Sequence, residues 1–235
     1  MPGSPRRALR ADYDRDPVRF AANQAATAEF SLVGDVHGPV ARRLAATGTA
    51  TVLDLGGGTG TLARALAAEG LATVVVDAAA HVAWSPRPAV RADLRALPFR
   101  DASFAAAACL WVLYHLEEPR TALREAARVL APGGRFVACT SARDNDPELA
   151  SVLPGWGVPG TFDAEDAADL VAAEFDVVEV ERWDAPLIHL PDPGALTLFL
   201  RGRGLSATEA RHAAARLVAP MDVTKRGCLV WARRP

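Results

Sequence analysis

The stretch with the most chemical content is Asp54-Leu55-Gly56-Gly57-Gly58-Thr59-Gly60. It follows Thr51-Val52-Leu53, an apolar run that reads as a buried strand. Glycines accept positive φ and let the backbone come close to a ligand. The free N–H groups at the start of a following helix attract an anion. A dinucleotide pyrophosphate and the carboxylate of an amino-acid-like cofactor both suit such a cradle. Spacing separates them. The dinucleotide fingerprint places glycines at 56, 58 and 61, and position 61 is Thr61. Here they fall at 56, 58 and 60, behind an acid, Asp54. That carboxylate repels a pyrophosphate and suits an ammonium.

A second acid, Asp77, ends the next apolar run, Thr73-Val74-Val75-Val76. A carboxylate there can accept two hydrogen bonds from ribose hydroxyls. It equally suits the N-cap of a helix begun at Ala78. Candidate proton acceptors are His115, after the fourth strand, and His37, ahead of the second helix. His189 lies between the sixth strand and a helical insertion, where it could touch an acceptor, whereas His81 and His212 read as helix surface. Trp111, Tyr114, Trp156, Trp183 and Phe199 are candidate walls of an apolar acceptor pocket. Trp183, on a strand, reads more readily as core. Trp156 sits in the turn-rich Pro154-Gly155-Trp156-Gly157.

The elements that position these residues alternate. Helical composition covers 17–31 and 39–46. Strands follow at 51–55, 72–77, 89–92, 103–110 and 135–140, with helices at 61–69 and 119–130 between them. A helix at 163–174, with Asp163 as a plausible N-cap, precedes strands at 176–183 and 228–232. Two apolar helical patterns, near 194–200 and 206–218, lie between those last strands. Repeated βα units predict a doubly wound, mostly parallel seven-stranded α/β sheet, with helical additions at the N-terminus and before the last strand. The expected organisation is one domain over 1–235. Within it, 1–48 form a helical cap, 49–143 the cofactor-binding core and 186–220 a helical lid.

The chain has 235 residues, half of them apolar, and a net charge of −2. That gives no electrostatic draw toward nucleic acid or an anionic membrane. Three cysteines, Cys109, Cys139 and Cys228, are far apart in apolar runs without metal-ligand spacing. They read as reduced and buried, which suits a cytoplasmic protein. The first twenty residues lack the apolar core of a signal peptide, and the longest apolar stretch, 105–113, is half a membrane span. No feature separates a monomer from a homodimer.

Five motifs in order resemble the class I S-adenosylmethionine (SAM)-dependent methyltransferases, in particular the type 11 group. They are Val52-Leu53-Asp54-Leu55-Gly56-Gly57-Gly58-Thr59-Gly60, Val75-Val76-Asp77, Ala92-Asp93-Leu94-Arg95-Ala96-Leu97-Pro98-Phe99, Tyr114-His115-Leu116-Glu117-Glu118-Pro119 and Arg128-Val129-Leu130-Ala131-Pro132-Gly133-Gly134. The resemblance implies a Rossmann-like fold with SAM as methyl donor. It implies that Asp54, Gly56, Gly57, Gly58 and Gly60 surround the methionine part, and that Asp77, with Ala78 beside it, holds the ribose. Asp93 and Leu94 would meet the adenine, and Cys109, Leu110 and Trp111 the methionine end. Tyr13 resembles an N-terminal tyrosine that closes over the cofactor. The 77–93 stretch, with Pro86 and Pro88, is short for the family, which would let Trp84 fill space near the adenine. Ala105 stands where the family usually has Asp.

Methyl transfer needs mainly alignment and water exclusion, with a base for an O or C nucleophile. Mild acidity and the lack of an Asn/Asp-Pro-Pro-Tyr pattern favour a small-molecule acceptor. Three alternatives stay open: a nucleotide-dependent oxidoreductase, a SAM-fold protein that binds SAM without methyl transfer, and an RNA or protein methyltransferase.

Overall fold

The structure is a computed structural model and describes residues 16–235. Two helices, α1 (Pro17–Phe30) and α2 (His37–Ala45), lead into β1 (Thr51–Leu55), α3 (Thr61–Ala68) and β2 (Ala72–Asp77). A 3-10 turn at Ala80–Trp84 replaces a full second crossover helix before β3 (Ala89–Arg91). Then come β4 (Phe104–Leu110), α4 (Pro119–Val129), β5 (Leu130–Ser141), α5 (Ala167–Ala172), β6 (Asp176–Leu190), α6 (Pro193–Gly202), α7 (Ala207–Ala214) and β7 (Met221–Arg233).

The seven strands form one sheet in the order β3-β2-β1-β4-β5-β7-β6. The inner pairs are parallel, and β7 is antiparallel to β5 and to β6. The chain steps outward from β1 to β3, then returns to β4 on the other side of β1. Strand order reverses there, and α/β sheets hold ligands at the carboxyl ends of strands at such a point. One face is packed by α4 and α5 around Phe136, Leu123 and Phe162. The other is packed by α2 and α3 around Leu44, Leu62 and Leu66. The buried runs Val52–Leu55 and Ala106–Leu110 need apolar cover on both faces, which is why they are continuous rather than alternating.

β6 is longer than the expected 176–183, and β7 begins seven residues before the expected 228. β5 stops pairing at Ser141↔Gly227, while β6 and β7 pair on to Leu190↔Met221. The two strands therefore project past the carboxyl edge as an arm. β6 lies at the sheet edge, where Pro186 costs no ladder bond that matters and is absorbed by a register shift. Because β6 runs to Leu190, the insertion's helices occupy 193–214. With α1 and the arm, α6 and α7 enclose a second core around Leu196, Phe199 and Leu200. Asp163 does not cap α5; it accepts Gly160 N–H, and the helix starts at Ala167 behind Asp166.

Candidate cofactor cleft

The Gly56–Gly60 loop sits at the switch point. Gly56, Gly58 and Gly60 have φ of 72°, 57° and 85°, values that L side chains rarely adopt. Gly56 and Gly57 N–H both donate to Val76 O, at 2.7 and 3.2 Å, which stitches the loop to β2. A Cβ on Gly56 would lie 2.4 Å from Val112, and one on Gly57 would lie 2.3 Å from Asp54 Oδ2. Side chains are excluded by the protein itself, before any ligand arrives.

Asp54 is 2 % exposed, beneath Gly57. Its Oδ2 is buried without a hydrogen-bond partner. Burial pushes its carboxyl up to about 7; the charge on Asp77 adds to this, while His37 and the Ala63 backbone oppose it. An orphaned buried carboxylate oxygen beside a glycine turn is what a ligand ammonium would complete. The N-terminus of α3 has no side-chain cap, so its N–H groups face the loop as an anion site. These features fit an amino-acid moiety.

Asp77 ends β2 and is used twice. Oδ2 accepts Gly58 N–H at 2.9 Å and Oδ1 accepts Ala79 N–H at 2.8 Å. The carboxylate fixes the loop, and each oxygen keeps a lone pair. Ala78 O accepts from Arg91 Nε at 2.9 Å. Asp93 turns back on Arg95, which donates to it from backbone and guanidinium and holds its carboxyl below the usual range. Leu94 is buried. Cys109 and Leu110 are buried at the end of β4. Burial drives the Cys109 thiol up; all three cysteines are free and buried, as the sequence led us to expect. Trp111 follows with a φ of 61°, strained backbone at the mouth of the site.

His81 corrects its sequence reading. It is 8 % exposed, not helix surface. Its ring stacks on Phe20 of α1 at 4.6 Å and its Nε2 is 3.9 Å from Asp77 Oδ2. Phe20 and His81 lie 3.2 and 3.5 Å from the position of a Cβ on Gly58, so together they cover the loop. Gln24 of α1 donates to Thr59 and Thr61 hydroxyls at 3.2 and 3.4 Å. The sequence singled out none of these three; the one signal was His81 four residues after Asp77. Trp84 is 74 % exposed and fills no space near an adenine. Tyr13 lies outside the described residues.

The remaining candidates are spread along the carboxyl edge. His115 is half-buried in a 3-10 turn, edge to face with Tyr114 at 4.4 Å. His37 opens α2 beside Asp35, with Nδ1 2.9 Å from Oδ2. Trp111 meets Trp183 edge to face at 6.2 Å. Trp183 lies against Gly227, where a Cβ would sit 2.5 Å from its ring. It packs on the α2–α3 face and also walls an open cleft of about 530 Å³, with Ala142, Glu165, Arg182 and Arg226. Trp156 donates to Asn145 O at 2.8 Å. His189 is half-exposed on the arm, paired with Asp222 at 2.7 Å. Phe199 is buried in the second core under Arg203. Among the described residues, no group of three or more His, Cys, Asp or Glu could hold a metal, and no helix is long and apolar enough to cross a membrane.

Comparison with known proteins agrees with this geometry. Residues 53–138 match a family described as a methyltransferase domain. The chain is 33% identical over 135 residues to a demethylmenaquinone methyltransferase of Clavibacter sepedonicus, covering 55% of this chain and 51% of that one. It is 37% identical over 93 residues to the O-methyltransferase cnsE of Penicillium expansum, covering 38% and 34%. The chain thus spans about half the length of the first of these relatives and a third of the second. Among solved structures, the [4+2]-cyclase SpnF superposes with a TM-score of 0.65 at 19% identity, over 100% of this chain and 98% of that one. A Burkholderia thailandensis 1,6-didemethyltoxoflavin-N1-methyltransferase, solved with its substrate and S-adenosylhomocysteine, gives 0.56 at 18%, over 94% and 84%. At these identities the superpositions establish the Rossmann-like methyltransferase fold.

Proposed function

We propose that the chain, whose residues 53–138 match a methyltransferase domain, transfers a methyl group from SAM to an O, N or C nucleophile of a small molecule. The observation that carries this reading is the buried, unpartnered Oδ2 of Asp54 under the glycine turn, one strand from Asp77. One acid is available for an ammonium and a second for a ribose. A dinucleotide cradle would bring a pyrophosphate against the first.

SAM, when bound, supplies a methyl carbon already activated on a sulfonium. The chain has to bind, orient and exclude water. Asp54 takes the ammonium, the open N-terminus of α3 the carboxylate, Asp77 the ribose, and Asp93 with Leu94 the adenine. Cys109 and Leu110 flank the methionine end. Phe20 and His81 cover the loop, and Gln24 ties α1 to it. His115 and His37 are the candidate bases, and Trp111, Trp156 and His189 the candidate acceptor contacts.

A small-molecule acceptor is supported by the relatives, a demethylmenaquinone methyltransferase and an O-methyltransferase. The net charge of −2 gives no overall electrostatic draw toward a polyanion. A second reading, a SAM fold that does not transfer methyl, is favoured by one observation: a solved structure that superposes over all of this chain is that of a [4+2]-cyclase. Incubation with isotopically labelled SAM and a metabolite extract, followed by mass spectrometry, separates the two. A labelled product supports transfer; tight SAM binding with no labelled product supports the second reading.

A further inference from the structure

We infer that Lys225, held by Asp146 on the arm, determines acceptor choice by anchoring an anionic oxygen, as an aromatic carboxylate or phenolate offers. The inference rests on the donor site proposed above and extends it to the acceptor.

The register of β7 places this lysine. Trp231, Leu229, Gly227, Lys225 and Val223 alternate onto one face of the strand. Trp231 and Leu229 belong to the core under α2 and α3, against which Trp111 and Trp183 pack. Val223 belongs to the second core, with Phe199 of α6. Gly227 and Lys225 therefore stand at the seam between the two cores. Trp183 covers Gly227 and meets Trp111. Val112, the next residue, lies against Gly56 of the donor loop. On the other side, Arg203 joins the cluster to Asn23 of α1 at 3.2 Å. Asn23 is next to Gln24, which binds the loop threonines. Neighbours of the donor loop thus bound the seam on both sides.

Strand pairing gives its distance from the donor. Leu110 is level with Cys139, and Cys139 with Leu229. Lys225 comes four residues further along β7, about 13 Å beyond Leu110 and about 10 Å across from it. That interval holds a small molecule together with the lysine side chain. The edge-to-face tryptophans give it an aromatic wall.

Charge selects the acceptor. Asp146, 2 % exposed, takes Lys225 Nζ on Oδ1 and Arg203 Nε on Oδ2. Two cations share this one carboxylate, and both lie over the Phe199 ring, at 5.8 and 4.4 Å. Enclosed charges need partners, and one positive charge is left over. An ammonium has three N–H donors, and among the described residues Asp146 is the one hydrogen-bond acceptor of Lys225 Nζ. The side chain is 17 % exposed, so a ligand reaches it. The nearby Glu148 is spent on the Thr224 N–H and hydroxyl, at 2.9 and 2.6 Å. Asp184 and Asp144, toward the other face of the arm, are held by Arg226 at 3.0 and 2.6 Å. Burial and Arg203 push the Lys225 amine down to about 8, against the pull of Asp146 and Glu148. An anionic oxygen on Nζ relieves that pressure. A neutral group accepts a hydrogen bond there and leaves the charge unmatched.

The test uses the full chain loaded with S-adenosylhomocysteine, titrated with benzoate and with its neutral isostere benzamide. Benzoate should bind about tenfold more tightly, the worth of a charge-assisted hydrogen bond. In Lys225→Met the preference should fall below about twofold, with S-adenosylhomocysteine affinity changed less than about twofold. Asp146 keeps Arg203 in that variant, so the enclosed pair stays neutral. On the unaltered chain, carbon-13 lysine spectra should show the Lys225 ε-methylene shifting with benzoate and not with benzamide. If S-adenosylhomocysteine binds neither protein, the donor reading fails and this inference with it. If it binds and the unaltered chain prefers benzoate no more than benzamide, the anchor alone is overturned. A preference that survives Lys225→Met, or a Lys225 resonance that benzoate leaves unmoved, overturns the anchor as well.

Discussion

Replacing Asp54 by Asn separates the cost of the buried acid from its use. In the free protein the Asp54 carboxyl is raised from 3.8 to about 7, chiefly by burial. Between those values the folded chain holds a proton that the unfolded chain has released. Stability is therefore fully present below pH 3.8 and is lost as pH rises toward 7, by about 1.4 kcal/mol per unit. The whole window is worth about 4 kcal/mol, and the loss levels off above pH 7. Asn keeps the shape and cannot ionise. Its stability relative to the parent should grow by about 2 kcal/mol between pH 5 and pH 7, read from urea unfolding at each pH. The gain in stability comes with a loss in binding. An ammonium beside Asp54 favours the ionised form, so SAM binding at pH 6 should release a proton, visible by calorimetry in two buffers of different ionisation enthalpy. Asp54→Asn should release none and bind SAM about 10- to 100-fold more weakly, the worth of a hydrogen bond to a charged group. Parallel stability curves, or proton release unchanged in the variant, would refute the assignment.

Asp77→Ala removes the acceptor of both Gly58 and Ala79 N–H. SAM affinity should fall more than about tenfold in calorimetry with the circular dichroism spectrum retained; unchanged affinity would show that β2 does not carry the ribose site. Gly57→Ala puts a Cβ 2.3 Å from Asp54 Oδ2 and 2.8 Å from Val75, so it should cost about 1–3 kcal/mol in denaturant unfolding as well as donor binding. Asp146 is 2 % exposed and carries Arg203 at 2.7 Å together with Lys225. Asp146→Ala leaves two cations without their carboxylate between the arm and α6 and should cost about 3–5 kcal/mol in the same assay; a loss under 1 kcal/mol would mean that this cluster does not hold α6 to the arm.

Much of the donor side was legible in the sequence because it is local. A buried strand, a turn needing positive φ and a helix start follow one another within ten residues, and Asp77 declares itself by ending an apolar run. What depends on distant elements was less legible. Pro186 reads as a strand breaker, yet the edge position of β6 tolerates it, so the arm was invisible until β7 was seen beside it. His81 reads as surface because nothing in its neighbourhood shows that α1 will lay Phe20 across it.

By itself the sequence determined the class of sheet, the glycine turn and the acids at the ends of β1 and β2. Backbone sterics and burial set these over a few residues at a time. Tertiary structure decided that Asp54 keeps an unpartnered oxygen, that α1 covers the loop, and that Trp111 meets Trp183 from 72 positions away. It also decided that Asp146 binds Arg203 and Lys225, 57 and 79 residues on. Such pairings are fixed by how the arm and helices pack, and packing depends on the whole chain at once.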